Sequence, residues 1–198
     1  QKLNTREFEM FSDRLQDLLP DLRAYARLLC GAPARADDLV QNACLKAWQA
    51  RETFDPEKGP LRGWLFRILR NEFYSQLRSD RLRSTEASTL FESEHVSDFA
   101  CEPRPDLSRL LHAVQTLKTA LRDAFLLVVA AGFTYEEAGD VLGGAPGTVK
   151  SRVSRARELA MGRFHSESWS HKVGAQDVSP LAQLHEALDR IQALSPAA

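Results

Sequence analysis

A chain of 198 residues, 43% hydrophobic and 27% charged, has the make-up of a globular protein of one or two domains, and no apolar run approaches the ~18 residues that span a bilayer. Three scattered cysteines cannot build a disulfide framework and no charged-then-apolar leader opens the sequence, so a reducing cytoplasm is expected, with Gln1 suggesting that the native N-terminus starts earlier. The formal net charge of −1 conceals a segregation that matters more than the total. From Leu61 to Ser84 six arginines oppose Glu72 and Asp80, and from Ala145 to Arg163 five basic residues oppose Glu158 alone. Between these segments, Thr85 to Asp106 carries six acids against Arg104.

Apolar residues recur at helical spacing and no stretch sustains an alternation of period two, which predicts an all-α protein. Phe8, Phe11, Leu15, Leu18, Leu19, Leu22, Tyr25, Ala26 and Leu29 form the stripe of a first helix that Gly31 ends. Leu39, Val40, Ala43, Cys44, Ala47 and Trp48 mark the buried side of a second. A third begins near Leu61 and is expected to bury Leu61, Trp64, Leu65, Ile68, Leu69 and Leu77. These helices define a first domain over residues 1–80. Residues 81–105, rich in Ser, Thr and acid with Pro103 and Pro105, lack helical periodicity and read as a flexible acidic linker. The second domain, 106–162, opens with Asp106 as the cap of a helix bearing Leu107, Leu110, Leu111 and Val114, followed by one with Leu117, Leu121, Phe125 and Val128 that stops at Gly132.

The most informative string is GFTYEEAGDVLGGAPGTVKSRVSRARELA. Thr134 and Glu137 have the spacing of a capping box, in which the hydroxyl accepts from the third helical N–H and the carboxylate reaches back. The helix so started buries Ala138, Val141 and Leu142, breaks at Gly143 and Gly144, and restarts at Pro146, a residue suited to a first helical position. Helix, glycine turn and helix make a helix-turn-helix. Val149, Val153, Ala156 and Ala160 fall on the inward stripe of its second helix. Lys150, Ser151, Ser154 and Arg155 then project outward, with Gly147 and Thr148 at an N-terminus that favours phosphate. Arg152 and Arg157 flank this face and suit phosphate neutralisation, the alternative being an ordinary solvated helix face.

A second basic face comes from Arg67, Arg70, Asn71, Tyr74 and Arg78, which share one side of the third helix. Arginines with an aromatic ring suit a single strand whose bases stack, although a solvated surface would show the same residues.

With both faces in place, the chain resembles the extracytoplasmic-function (ECF) sigma factors, two-domain proteins that direct RNA polymerase to promoters. The resemblance covers about residues 10–162. ADDLVQNACLKAW resembles the polymerase-binding region 2.2, FDPEKGPLRGWLFRILRNEFYSQLR regions 2.3 and 2.4, and GFTYEEAGDVLGGAPGTVKSRVSRAR region 4.2. LRAYARLLCGAPARADDLVQ and ILRNEFYSQLR are similar to the EcfG-type general stress sigma factors. The resemblance implies that Asp37, Asp38, Val40 and Gln41 meet the β′ clamp of core polymerase, helix N-capping being the other reading of the two aspartates. It implies that Phe54, Leu61 and Asn71 surround a flipped base of the minus-10 element, and that Lys150, Ser151 and Ser154 contact minus-35 bases while Tyr135, Gly147, Arg155 and Arg157 contact phosphates. The implied partners are core polymerase at its β′ clamp and β flap, promoter DNA and a small anti-sigma protein; the linker corresponds to a segment along the RNA exit path.

Two departures from the family pattern stand out. Asn42 replaces a frequent Glu, and Leu117-Lys118 replaces a Leu-Pro, which permits a more continuous helix through 107–131. Residues 163–198 lie beyond the pattern, and Leu181, Leu184, Leu188, Ile191 and Leu194 predict a short amphipathic helix there. His95, His112, His165, His171 and His185 show no metal-ligand spacing with Cys30, Cys44 or Cys101, and no nucleophile motif or phosphate loop occurs, so neither enzyme activity nor a metal or cofactor is expected. The cysteines read as small structural residues. Two alternatives stay open: a sigma-like decoy that sequesters an anti-sigma protein without initiating transcription, and a generic helix-turn-helix regulator, which would leave the first domain unexplained.

Overall fold

The computed structural model describes residues 5–84 and 111–166, with side chains over 10–82 and 111–162. The linker, the Asp106 cap, Cys101 and the helix expected after Pro180 lie outside the described residues. Among the described residues every regular element is helical, as the periodicity requires. The chain divides into two units, Gln1–Ser97 and Asp98–Ala198.

In the first unit, α1 (Thr5–Cys30) runs through Pro20 and ends where Gly31 takes a φ of 71° and donates its N–H to the Arg27 carbonyl. Then α2 (Pro33–Gln49) starts with Pro33 in the first turn, and two 3-10 turns, Arg51–Thr53 and Pro56–Lys58, lead to α3 (Leu61–Ser84). The three long helices pack on one another, and Leu22, Tyr25, Leu29, Leu39, Ala43, Leu65, Phe66 and Leu69 fill the space between them. The third helix buries a different arc from the expected one. Phe66, Glu72 and Phe73 are buried, whereas Trp64, Ile68 and Leu77 are half-buried. Because α3 packs against both α1 and α2, its covered arc is wider than a single stripe. Tyr25 meets Phe66 at 5.0 Å between ring centres, and emptying the Phe66 site would cost about 3–5 kcal/mol. Leu15, Leu18 and Leu19 are likewise half-buried on the less covered part of α1.

In the second unit, a helical stretch over 111–115 does not continue into the next helix, α4 (Thr119–Phe125). The continuous helix that Leu117-Lys118 permits is thus absent. Thr116 donates its hydroxyl to the Ala113 carbonyl at 2.8 Å, the Leu117 N–H tightens onto Val114, and Lys118 turns extended at ψ 138°. Side-chain bonding to the preceding turn competes with helix propagation, and the buried Leu117 is the residue the bend turns inward. At its far end α4 passes into a π turn, Leu126–Ala130, where Ala131 N–H reaches back to Leu126. That extra residue brings Leu126, Leu127 and Val129 all into the core. Next come α5 (Tyr135–Leu142) and α6 (Pro146–Ser166), with α4 and α5 both packed on α6.

Candidate nucleic-acid interface

In the second unit the helix-turn-helix is built as its residues dictate. Glu137 N–H donates to Thr134 Oγ1 at 3.1 Å, and Thr134 N–H donates to Glu137 Oε2 at 2.9 Å, closing the capping box. Gly143 ends α5 in the left-handed region at φ 68°, ψ 41°. Gly144 N–H donates to the Gly139 carbonyl at 2.9 Å, and Pro146 restarts the chain as helix. Along α6, Val149, Val153, Ala156 and Ala160 are all at most 1% exposed. The opposite face leaves Gly147, Thr148, Lys150, Ser151, Ser154, Arg155 and Arg157 exposed, with Arg152 and Tyr135 half-buried. Leu142, expected in the core, is half-buried beside the turn. Ser151 donates its hydroxyl hydrogen to the Thr148 carbonyl at 2.9 Å, so the oxygen retains lone pairs for an outside donor. Cations and hydroxyls on a rigid outer face, over an inner stripe of small and branched residues, suit insertion into a major groove.

In the first unit, Arg67, Asn71 and Arg78 are exposed on α3 while Arg70 and Tyr74 are half-buried. The Arg70 guanidinium lies 5.0 Å over the Tyr74 ring, and Phe73 meets that ring edge-on at 5.1 Å. Phe54 sits half-buried between the two 3-10 turns, 5.4 Å from Trp64. The turn after it is set by Asp55, which accepts from Glu57 N–H at 3.1 Å and from Lys58 at 3.0 Å, and by Gly59 at φ 140°. The Lys58 hydrogen bond, followed by the Glu57 amide, holds the Asp55 carboxyl below its usual range. Leu61, expected at the base pocket, is 7% exposed, its side chain turned into the core as its place on the apolar stripe predicts. Trp64 was expected in the core, yet it is only half-buried and falls at i, i+3 and i+7 with Arg67 and Asn71. That spacing is the signal by which it could have been found.

On α2, Asp37, Asp38 and Gln41 are exposed, but Val40 is 4% exposed and packs inward. Val40 therefore offers no side-chain surface to a partner, contrary to the expectation. Neither aspartate caps the helix, contrary to the other reading: α2 starts at Pro33 with Ala32 as N-cap, and both aspartates lie a turn further on. Between α2 and α3 runs a polar groove lined by Asp38, Asn42 and Ser75, closed at one end by Arg35 and Asp80 at 2.9 Å. At the other end Lys46 bonds the buried Glu72, which also accepts from Gln76 at 2.9 Å. Burial alone would push the Glu72 carboxyl up; the hydrogen bonds from Lys46 and Gln76 and the charge of Lys46 outweigh it, leaving the carboxyl below its ordinary value. Cys30 is buried and Cys44 half-buried, with burial pushing the Cys44 thiol up and away from reactivity.

Two helical modules, one presenting a basic and aromatic helix face and one a helix-turn-helix, define a promoter-recognition protein of the sigma class: residues 15–83 match the Sigma-70 region 2 family and residues 107–159 match Sigma-70, region 4. The chain is 36% identical to the ECF RNA polymerase sigma factor EcfG of Rhodopseudomonas palustris, over 85% of this chain and 92% of that one. It is 33% identical to the sigma factor CnrH of Cupriavidus metallidurans over 61% of this chain and 69% of the other. Among solved structures it superposes on the sigma factor RpoE of Bartonella quintana, seen with the anti-sigma factor NepR, at a TM-score of 0.70 and 37% identity, covering 80% of this chain and 99% of that one. The chain belongs to the ECF RNA polymerase sigma factors, which are initiation factors and not enzymes; they bind core polymerase and take it to promoter DNA. No helix among the described residues is long and apolar enough to cross a membrane.

Proposed function

We propose that this chain grips its promoters at two points. Residues 106–162 read the minus-35 element, with Lys150, Ser151 and Ser154 on bases and Tyr135, Gly147, Thr148, Arg155 and Arg157 on the backbone. Residues 1–80 take the melted minus-10 strand on Phe54, Arg67, Arg70, Asn71, Tyr74 and Arg78, with Leu61 in the core, and dock polymerase through Asp37, Asp38 and Gln41. Residues 81–105 link the two as an acidic connector, and 163–198 form a C-terminal extension. The observation that carries the reading is the outer face of α6, where hydroxyls and cations stand exposed over a fully buried stripe. The setting is the cytoplasm and a general stress response, for which the relation to EcfG is the support. A small anti-sigma protein holds the chain inactive; the solved relative bound to NepR supports this.

The retained basic recognition helix argues against the decoy, which has no use for it. Run-off transcription with purified chain and core polymerase on a stress-type promoter separates the two. Transcripts that depend on the chain are expected; none, together with tight capture of an anti-sigma protein, would sink the initiation reading.

A further inference from the structure

Trp64 has no role in the scheme above. It stands one helical turn before Arg67 on α3 and keeps to the same face, half-buried rather than enclosed in the core. The indole lies 5.4 Å from Phe54, tilted by 52°, and 6.3 Å from the buried Phe11, edge to face at 76°. Phe11 lies 6.1 Å from Trp48, whose ring carries the Arg51 guanidinium at 5.4 Å. Four rings thus run from the end of α2 to the loop. Phe54 itself sits on extended backbone at φ −70°, ψ 126°, and its N–H donates to the Arg51 carbonyl at 3.1 Å. That bond fixes the main chain but leaves the side-chain rotamer free. The orientation of the Phe54 ring therefore comes from the ring packed on it, and Trp64 is in turn seated on Phe11, a core residue.

We infer that Trp64 is the positioning residue of base capture: it buttresses Phe54 so that the loop ring is already held in place when an unpaired minus-10 base arrives. A ring held in advance spares the ordering cost that a free one would meet on binding. The inference rests on the assignment of Phe54 to minus-10 recognition. Leu61 is buried and Gly59 bends the loop at φ 140°, and neither carries a ring that could pack on Phe54.

The test uses holoenzyme made from the full chain and core polymerase, with fork-junction promoter DNA carrying either the normal base or an abasic site at each minus-10 position in turn. Loss of the captured base weakens binding of the wild type by about tenfold, the scale of one base stacked on an aromatic ring. In Trp64→Leu this discrimination falls to about threefold or less, while affinity for core polymerase and for the abasic fork is unchanged; Trp64→Phe, which keeps a ring, restores it. Phe54→Ala loses the same discrimination, and the double variant loses no more than either single one. Undiminished discrimination in Trp64→Leu overturns the inference, and so does an equal loss of core binding, which marks Trp64 as a fold residue only. Discrimination that survives Phe54→Ala in every context removes the Phe54 assignment itself, and a wild type blind to the abasic site at every position overturns both.

Discussion

The Gly144 carbonyl oxygen stands 2.6 Å from the point that a Cβ on Gly139 would occupy. This approach lets the Gly144 N–H bond the Gly139 carbonyl and lets the chain turn within Gly143 and Gly144 before Pro146. Gly139→Ala therefore opens the turn. A loss of about 1–3 kcal/mol is expected, read from the urea midpoint, because the clash is with backbone that cannot rotate away. An unchanged midpoint would show that the turn gives way freely.

Removing the cap has a smaller effect than closing that gap. Thr134→Ala deletes the acceptor for Glu137 N–H and should cost about 0.5–2 kcal/mol in the same measurement.

On the outer face of α6 the roles divide by chemistry. Lys150→Ala should cost about 1–3 kcal/mol at the cognate promoter relative to random DNA, as expected for a base contact. Arg157→Ala should instead weaken both DNAs alike and lower the salt slope of binding by about one unit. Holoenzyme titrations at several salt concentrations measure both, and a reversal of the two patterns would reassign the residues.

Acid should release the bond between α2 and α3. With its carboxyl below the ordinary value in the folded chain, Glu72 binds protons more weakly folded than unfolded. Its contribution is complete above the unfolded value, about pH 4–5, and disappears as pH falls through the lower folded one. Denaturation midpoints of the wild type should fall more steeply below about pH 5 than those of Glu72→Gln, and Lys46→Met should flatten the wild-type slope. Parallel curves for all three proteins would remove this assignment.

Lys118 offers a test in the stabilising direction. Its φ of −55° lies in the range that proline imposes, and its carbonyl, not its amide, receives the first bonds of α4 from Leu121 and Arg122. Lys118→Pro should be tolerated and raise stability by about 0.4–1 kcal/mol, measured by thermal unfolding. A large loss would mean that Leu117 cannot accept a following proline.

Short-range chemistry was legible in the residues. Thr134 and Glu137, the paired glycines, Pro146 and the stripe from Val149 to Ala160 sit close enough in the chain for spacing alone to specify them. What depended on two neighbours at once was not. Phe66 and Phe73 lie off the simple stripe because α3 packs against both α1 and α2, whereas Val40 and Leu61 are buried as the apolar stripes of their own helices predict. The break at Thr116–Lys118 follows from a hydroxyl bonding back to Ala113, a competition that periodicity does not register. The Lys46–Glu72 pair joins residues 26 apart in the chain, beyond the reach of any local pattern.

The outward side chains of α6 add nothing to its buried stripe, which is completed by Val149, Val153, Ala156 and Ala160. Outer face and scaffold are thus separable within one helix. On the proposed reading, new promoter preferences are written into positions 150, 151 and 154 without disturbing the fold, and the module lends itself to retargeting.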